Sequence, residues 1–392
     1  MKKVFKYAKM ILRPLLWLVY FLSGLFPRDE KIWVFGSLDG RRFADNPKYF
    51  FLDLILNEKP QDIKPIWITK SKKIFDYLYQ QNLPVHHLFS LKGFYYCLRG
   101  KVWIYDHKSH DISFWLSNGA LKVNFWHGIP LKKIEWDSKI LKYYNLKGIK
   151  KFLVRIIAPW IYENSDYFLS PSEITDKIFP SAFRVKDYQL IKAGYPRVKV
   201  LLFPEKFRLK SKNNLLGKKL ILYTPTFRDN SDEKLEEILK LDILDDFLLK
   251  HNLIMLIKLH PLSKLGGRHQ NKSFKAISII DPFEDVYQYL PFASLLITDY
   301  SSIYYDFLYL NRPIIFFPYD LKVYLSKNRD LYFDYMKYTP GPKVFNTEEL
   351  MSEIEKILHY DSYSEARKSF VKKIGLRYNF IKASDIKNLI KL

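Results

Sequence analysis

The sequence has little of several features that would point to other classes of protein. It contains a single cysteine, Cys97, which excludes an internal disulfide framework and a thiolate metal cluster. It has no long Gly/Ser-rich or Pro-rich linker and no internal repeat of solenoid or propeller period. Acidic residues are scarce, 41 against 64 Lys and Arg. The net charge of +23 favours an anionic partner, namely nucleic acid, an anionic membrane surface or a phosphorylated substrate.

The sequence also lacks a long hydrophobic run at its amino terminus. The apolar stretch 14–26 follows five basic residues and is shorter than the ~20 residues that span a bilayer. Basic residues followed by Trp17, Tyr20 and Phe21 favour an uncleaved segment that lies in the membrane interface. A signal peptide or a short span is the alternative. A second basic and aromatic stretch, 132–155, fits either the same interface or a helix that packs on the core.

Short apolar runs rich in Ile, Val and aromatic residues alternate with helix-like segments along the chain. The ten runs are 32–35, 66–68, 102–105, 123–126, 167–169, 220–223, 253–257, 277–280, 295–297 and 314–317. Such alternation predicts βαβ units and parallel sheets, and 392 residues exceed what one hydrophobic core usually supports. We therefore expect an α/β protein of two Rossmann-like, doubly wound domains that face a central cleft.

The domain boundaries follow from interruptions of this pattern. Pro204 and the polar run 210–214 break it near the middle of the chain. We expect an amphipathic membrane-associating segment at 1–27, an N-terminal domain at 28–205 and a C-terminal domain at 206–375. The pattern after about residue 363 is helical, and we expect the last part, 376–392, to pack on the N-terminal domain.

One apolar run leads directly into a hydroxyl-rich turn. Residues 295–298 are followed by Asp299, Tyr300, Ser301 and Ser302, and then by a helix-like segment. A helix that begins at two serines offers an anion free backbone N–H groups, two hydroxyls and the positive end of the helix dipole. The alternative is that a serine only caps a buried helix.

Four further segments share this form, an apolar run that ends in a polar or glycine-bearing turn. They are Trp126-His127-Gly128-Ile129-Pro130, Ala193-Gly194-Tyr195-Pro196-Arg197, Tyr223-Thr224-Pro225-Thr226-Phe227-Arg228-Asp229 and Ile257-Lys258-Leu259-His260-Pro261. In open α/β sheets, ligands bind at the carboxyl ends of strands. The five segments together therefore predict a binding cleft.

In order and number, these motifs resemble the CDP-glycerol glycerophosphotransferase family of teichoic acid synthesis. The match also includes Arg312-Pro313-Ile314-Ile315-Phe316-Phe317, Asp330-Leu331-Tyr332-Phe333-Asp334 and Pro340-Gly341-Pro342, and it covers about residues 120 to 350. The resemblance implies a GT-B-like fold with an acceptor domain at 28–205 and a CDP-alditol-binding domain at 206–375. It implies a peripheral or monotopic enzyme on the cytoplasmic face of the bacterial cell membrane.

The resemblance also implies the reaction. Glycerol phosphate would pass from CDP-glycerol, or ribitol phosphate from CDP-ribitol, to a hydroxyl of an undecaprenyl-diphosphate-linked saccharide or of a polymer, with release of CMP. No cofactor and no metal are expected. The lack of a long amino-terminal domain, such as polymerases of the family can carry, favours the priming type.

Within these motifs we expect His127 to be the general base on the acceptor hydroxyl, because histidine has a pKa near ~6.5. His260, with Lys258 nearby, would contact the pyrophosphate or protonate the departing CMP. The remaining expected substrate-binding residues are Gly128, Arg228, Asp299, Ser301, Ser302 and Asp306. Asp299 alternatively caps a strand end, and Asp306 alternatively is a buried hydrogen-bond partner.

Two other functions fit parts of the sequence. A GT-B sugar-nucleotide glycosyltransferase would need the same pyrophosphate site. A basic membrane or nucleic-acid-binding protein would use the charge and the interleaved aromatic residues, but no helix-turn-helix, zinc-finger or RRM signature is present. We therefore expect no nucleic-acid partner.

Overall fold

The computed structural model describes residues 13–209, 217–226, 235–259, 274–281, 283–327 and 330–391. The chain divides into two compact units. Unit 1 comprises Met1–His127, Ile134–Lys199 and Leu376–Leu392, and unit 2 comprises Gly128–Lys133 and Val200–Gly375. The domain boundaries that we expect from the sequence, at 1–27, 28–205, 206–375 and 376–392, stay predictions.

Unit 1 is built on a parallel sheet. Its strands are β1 (Asp29–Phe35), β2 (Lys64–Thr69), β3 (Val85–His87), β4 (Gly100–Tyr105), β5 (Leu121–Asn124), β6 (Tyr167–Ser170) and β7 (Leu190–Lys192). Its helices before β7 are α1 (Leu16–Ser23), α2 (Asp45–Asp53), α3 (Lys72–Gln80), α4 (Leu91–Arg99), α5 (Gly148–Ile157) and α6 (Glu173–Phe183). The next helix, α7 (Pro196–Leu202), follows β7, and its residues up to Lys199 belong to unit 1. The seven strands have the order β3-β2-β1-β4-β5-β6-β7, which is the Rossmann order with one added edge strand.

Unit 2 contains a second parallel sheet. Its strands are β8 (Lys219–Thr224), β9 (Leu253–Lys258), β10 (Ile277–Ile280), β11 (Leu295–Thr298) and β12 (Ile314–Phe316), in the order β10-β9-β8-β11-β12. Its helices are α8 (Leu235–Leu239), α9 (Leu241–Lys250), α10 (Ile303–Phe307), α11 (Leu321–Lys327), α12 (Thr347–His359) and α13 (Ser364–Ile374). The last helix, α14 (Ala383–Ile390), belongs to unit 1.

The sequence forms these elements for recognisable reasons. β4 and β11 are almost wholly buried, and β1 is buried from Ile32 to Phe35, as expected when helices cover both faces of a parallel sheet. Several helices begin at a capping side chain: Ser71 accepts from the Ile74 N–H, Ser172 from the Thr175 N–H, and Asn346 from the Glu349 N–H. Each cap satisfies an N–H group that has no partner inside its helix.

In both sheets the strand order reverses at one place, between β1 and β4 and between β8 and β11. A crevice at the carboxyl ends of the strands, beside such a switch point, is where open α/β sheets bind ligands. The turns that follow β1 and β4 begin at Gly36 and Asp106, and those that follow β8 and β11 begin at Pro225 and Asp299. These turns are the positions to search for function.

The ten expected strands are present, and their ends differ from the expected runs by a few residues. β5 ends at Asn124, whereas the expected run continued to Trp126; Trp126 instead has a φ of 50°, which a strand does not allow. The expected helix from about residue 363 is two helices, because Gly375 ends α13 with a φ of 60°. The segment between them pairs with unit 1 through the bridges Ser172 to Leu376 and Gly194 to Phe380.

No helix in the described part of the chain combines the length and the apolar character that a bilayer crossing requires. The expected membrane-associating segment begins before the described residues, and within them it contributes α1.

Candidate active site

His127 follows β5 in a turn that internal hydrogen bonds fix. The Asn124 side chain accepts from the Trp126 N–H at 2.8 Å and donates to the His107 carbonyl oxygen at 2.8 Å. Gly128 follows with a φ of 146°, a conformation that favours glycine. The expected substrate-binding role of Gly128 stays a prediction, and its backbone explains why glycine stands beside the histidine.

The His127 ring is held on two sides. Its Nδ1 lies 3.3 Å from the backbone carbonyl oxygen of Asp106. Because a carbonyl oxygen can only accept, this contact requires a proton on Nδ1 and leaves Nε2 with the lone pair. The ring also stacks on that of His107, with centroids 4.2 Å apart and planes 14° apart. His127 therefore presents a proton-accepting Nε2 in a fixed orientation.

The two stacked histidines differ in charge. Burial alone would lower the pKa of His107, but Asp106, Asp111 and Asp45 outweigh it and raise that pKa to about 10. Burial, the charge of His107 and the charge of Arg197 lower the pKa of His127 well below its usual value, and the bond to the Asp106 carbonyl opposes them. At neutral pH, His107 is an imidazolium and His127 is a neutral imidazole.

Asp106 anchors this pair at the switch point of the first sheet. Its Oδ1 lies 2.9 Å from His107 Nδ1, and its Oδ2 accepts from the Ser37 hydroxyl at 2.6 Å, in the turn after β1. Burial and the charge of Asp106 raise the pKa of the neighbouring Asp111 carboxyl. The turns after β1 and β4 are thereby joined through one buried carboxylate.

Asp106, His107 and Asp111 each place a possible ligand atom within 4.8 Å of the others. Their atoms are already engaged inside the protein, since Asp111 accepts from the backbone N–H groups of Asp39, His107 and Lys108. We therefore describe this group as a hydrogen-bond network. The expectation that the protein uses no metal stays a prediction.

Arg197 and Asn46 hold the backbone of the His127 turn. Arg197 Nη1 donates to the His127 carbonyl oxygen at 2.8 Å and pairs with Asp45 at 2.8 Å. Asn46 Nδ2 donates to the Trp126 carbonyl oxygen at 2.7 Å. Sequence reasoning identified the motif that contains Arg197 but gave this residue no role.

No role was assigned to His107 from the sequence, although a sequence signal was available. The run 102–105 that precedes Asp106 and His107 has the same form, an apolar strand that ends in polar residues, as the five chosen motifs. What the sequence could not show is that β4 lies beside β1 at the switch point.

Asp299 follows β11 at the switch point of the second sheet, as Asp106 follows β4 at the switch point of the first. It is fully buried at the end of β11, and its carboxylate accepts from the Thr226 N–H at 2.9 and 3.1 Å and from the Tyr300 N–H at 2.5 Å. Thr226 lies after β8, on the other side of the switch point. Asp299 thus fixes the start of the turn after β8, and its substrate-binding role stays a prediction.

The two serines lie where the sequence places them, before α10. Ser302 is the residue before the helix and its side chain makes no capping bond, whereas Ser301 Oγ accepts from the Ile303 N–H at 3.4 Å. Both are partly exposed. Because α10 has only five residues, its dipole is a small contribution, and the hydroxyls and backbone N–H groups are the main features that an anion would meet.

The other expected residues of unit 2 have different surroundings. Lys258 ends β9, at the same edge of the sheet as Asp299, and is partly exposed. Asp306 is buried inside α10, and its Oδ2 accepts from the Tyr287 hydroxyl. Arg228 and His260 lie outside the described residues. The substrate-binding roles of Lys258, Asp306 and Arg228 and the catalytic role of His260 stay predictions.

Two of the matched motifs pair directly within unit 2. Lys132 and Leu331 form an antiparallel bridge, Lys133 N–H donates to the Asp330 carbonyl at 2.9 Å, and Tyr332 N–H donates to the Leu131 carbonyl at 3.0 Å. The segment that follows His127 is therefore fixed by the segment 330–332.

The sequence of this chain is similar to a known protein family and to several of its members. Over residues 18–385 the sequence matches the family described as CDP-glycerol:poly(glycerophosphate) glycerophosphotransferase. It is 31% identical to a teichoic acid poly(glycerol phosphate) polymerase of Bacillus spizizenii, over 92% of this chain and 91% of that protein. It is 32% identical to a teichoic acid glycerol-phosphate primase of Bacillus subtilis, over 72% of each chain.

Among solved structures, the wall teichoic acid polymerase TagF is similar, with a TM-score of 0.72 at 24% identity over 99% of this chain and 93% of that chain. This similarity confirms the expected α/β, GT-B-like fold with two Rossmann-like sheets. The sequence match extends over most of the chain and includes both switch points. The chain therefore belongs to the CDP-glycerol:poly(glycerophosphate) glycerophosphotransferase family.

Proposed function

We propose that this protein transfers glycerol phosphate from CDP-glycerol to a hydroxyl of a membrane lipid-linked saccharide or of a teichoic acid chain, and releases CMP. The observation that carries the proposal is the His127 ring, whose pKa is lowered and whose Nδ1 lies 3.3 Å from the Asp106 carbonyl oxygen, which leaves the lone pair on Nε2. Family membership supplies the donor class.

The reaction requires a base and a site for negative charge. The acceptor hydroxyl oxygen forms a bond to the phosphorus of the glycerol phosphate group, and the bond from that phosphorus to the oxygen of CMP breaks. The hydroxyl proton passes to His127 Nε2. Ser301, Ser302, Lys258 and Arg228 would bind the pyrophosphate. His260 would either contact the pyrophosphate as well or supply a proton to the departing CMP.

We propose that α1 and α5 of unit 1 form a surface that binds the membrane, and that the lipid-linked acceptor is presented there. The two helices touch, because Trp17 Nε1 donates to the Ile156 carbonyl at 3.1 Å. Their exposed apolar side chains include Leu18, Phe21, Ile149 and Phe152. Exposed lysines at 139, 142, 147 and 150 lie on and before α5. Apolar groups rimmed by lysines suit the surface of an anionic membrane.

Chain length does not separate priming from polymerising activity. The Bacillus spizizenii polymerase is matched over 91% of its own length, so a polymerase of this family can be about as long as this chain. The expectation of a priming enzyme, drawn from the lack of a long amino-terminal domain, has no further support. The product of the reaction decides between them.

The test is a donor comparison with purified protein. CDP-glycerol, CDP-ribitol and a UDP-sugar are each supplied with a lipid-linked saccharide, and the release of CMP or UDP is followed together with product length. We expect CMP from CDP-glycerol. His127→Asn should lower turnover by about 10²–10⁴-fold, the usual contribution of a general base, whereas His359→Asn, at an exposed helix end, should not. Release of UDP alone, or full activity of His127→Asn, would contradict the proposal.

A further inference from the structure

The His107 ring has a position and a charge that the transfer reaction does not explain by itself. It stacks on His127 with a centroid distance of 4.2 Å, and its Nδ1 is bound to Asp106 Oδ1 at 2.9 Å. Asp106 supplies two different contacts, since its side chain binds His107 while its backbone carbonyl accepts from His127. One residue therefore sets the orientation of both rings.

The stack and the hydrogen bond fix different degrees of freedom of His127. The bond from Nδ1 to the carbonyl selects the tautomer, and the flat contact with His107 selects the plane of the ring. Without the stack, rotation about the terminal side-chain torsion, which has a broad energy minimum, would be opposed by the Nδ1 bond and by the tilted Trp126 ring, whose centroid lies 4.0 Å from that of His127. General-base catalysis needs a fixed lone pair within hydrogen-bond reach of the hydroxyl.

Both positively and negatively charged groups surround the stacked rings of His107 and His127. In the described part of unit 1, His127 meets the cations His107 and Arg197, and His107 meets the carboxylates of Asp106, Asp111 and Asp45. Arg197 is itself paired with Asp45. The cation nearest to His127 is thus His107, which three carboxylates keep protonated.

We propose that His107, paired with Asp106, is a positioning residue for the transfer reaction. It holds the His127 ring flat with Nε2 available, and its positive charge keeps His127 unprotonated until the substrate hydroxyl arrives. The proposal rests on the proposed function, because it concerns how the same base is prepared. When the hydroxyl oxygen attacks the phosphorus of the glycerol phosphate group and the bond to CMP breaks, the hydroxyl proton goes to His127 Nε2. The bound phosphates offset the charge of His107.

The first measurement uses the unmodified protein. Histidine side chains labelled with ¹³C and ¹⁵N are titrated by NMR, and the signals of His107 and His127 are assigned by single substitution. We expect His107 to remain protonated above pH 7 and His127 to remain neutral below pH 6.5 with the proton on Nδ1. A His127 that titrates at or above pH 6.5, or a neutral His107 at pH 7, would overturn the proposal.

The second measurement separates charge from packing. His107→Gln keeps a polar side chain beside Asp106 but removes the charge and the ring, whereas His107→Arg keeps a flat cation. In His107→Gln we expect the acid limb of the kcat/KM profile to move to higher pH. We expect kcat at pH 7 to fall roughly tenfold with little change in KM, because base orientation matters in the transition state. In His107→Arg the acid limb should return to the pH at which it lies in the unmodified protein.

The controls distinguish failure of the positioning role of His107 from failure of His127 as the proposed base. His359→Gln removes a histidine at an exposed helix end and should leave the profile unchanged. If the acid limb stays in place in a folded His107→Gln protein, or if His107→Arg behaves as His107→Gln does, the positioning role is wrong. If His127→Asn is fully active while NMR still shows the charge coupling, the proposed base is wrong and so is the catalytic meaning of His107.

Discussion

The Asp45 carboxylate and the Arg197 guanidinium form an ion pair with 2.8 Å between Oδ1 and Nη1, and the Arg197 side chain is only 4% exposed. The same Nη1 binds the His127 carbonyl oxygen. One buried cation thus links α2, α7 and the turn that carries the proposed base. Removing either partner of such a buried pair is strongly destabilising, because it leaves the other charge buried and uncompensated.

We predict that Arg197→Met lowers the free energy of unfolding of unit 1 by about 3–5 kcal/mol, because it leaves a largely buried carboxylate without its partner. The double variant Asp45→Asn/Arg197→Met should recover part of this loss. Urea denaturation, followed by circular dichroism, measures both. A loss below about 1 kcal/mol, in the range of a surface ion pair, would contradict the buried geometry.

Asp299 provides the corresponding test in unit 2. Asp299→Ala removes the acceptor of the Thr226 and Tyr300 N–H groups, and unsatisfied buried donors cost about 1–3 kcal/mol. We predict a lower melting temperature and a raised KM for CDP-glycerol, because the turn after β8 loses its anchor. Asp299→Asn keeps one acceptor oxygen and should lose less. Glu365→Ala, at an exposed surface pair, is the control, and equal losses for Ala and Asn would contradict the prediction.

Much of the fold was predictable because buried strands have a strong sequence signal. The ten apolar runs all lie within or overlap strands of the two sheets. β3 and β7 are not among the ten runs, because each has three residues, lies at a sheet edge and includes polar residues such as His86 and Lys192. Short edge strands carry too few apolar positions for a period to be recognised.

The site was predictable only in part, for a different physical reason. His127, Asp299 and the serines follow apolar runs, and the structure places each of them at a strand's carboxyl end. His107 matters because β4 neighbours β1 and because the ring faces His127, and both relationships depend on the order of the strands in space. No spacing along the chain encodes that order.

The partly buried Lys343 gives a prediction for pH. Burial lowers the pKa of its ammonium to about 8, below the value near ~10.4 of an unfolded chain. Between these two values the unfolded state binds more protons, so this group makes the free energy of unfolding rise with pH across that window. We predict that Lys343→Met removes this rise and stabilises unit 2 at pH 7 by about 1 kcal/mol, after allowance for solvent screening.

Thermal unfolding from pH 7 to pH 10.5 measures the effect, with Lys368→Met, an exposed lysine of α13, as the control. A parallel pH dependence in the Lys343→Met and unmodified proteins would contradict it.

The single cysteine offers a probe of unit 1. Cys97 is fully buried in α4, and burial raises the pKa of its thiol to about 12. We predict that a disulfide reagent at pH 8 does not modify it in the folded protein and reacts stoichiometrically in urea, since the thiolate is the nucleophile. A Glu365→Cys variant, at a side chain that is 83% exposed, should react at once with one equivalent. Rapid reaction of the unmodified protein would show that unit 1 opens locally.

The surface formed by α1 and α5 makes the membrane proposal testable without substrate. Ile149 and Phe152 are 68% and 58% exposed, and we predict that Ile149→Ser/Phe152→Ser lowers sedimentation with anionic phospholipid vesicles roughly tenfold or more, because the apolar area that would enter the interface is lost. Tyr360→Ser, at a 76% exposed aromatic residue of unit 2, is the matched control. Binding of the unmodified protein should also weaken at high salt, because the lysines contribute about 1 kcal/mol each near a charged membrane. Vesicle binding that neither the double substitution nor salt reduces would mean that another surface holds the protein at the membrane.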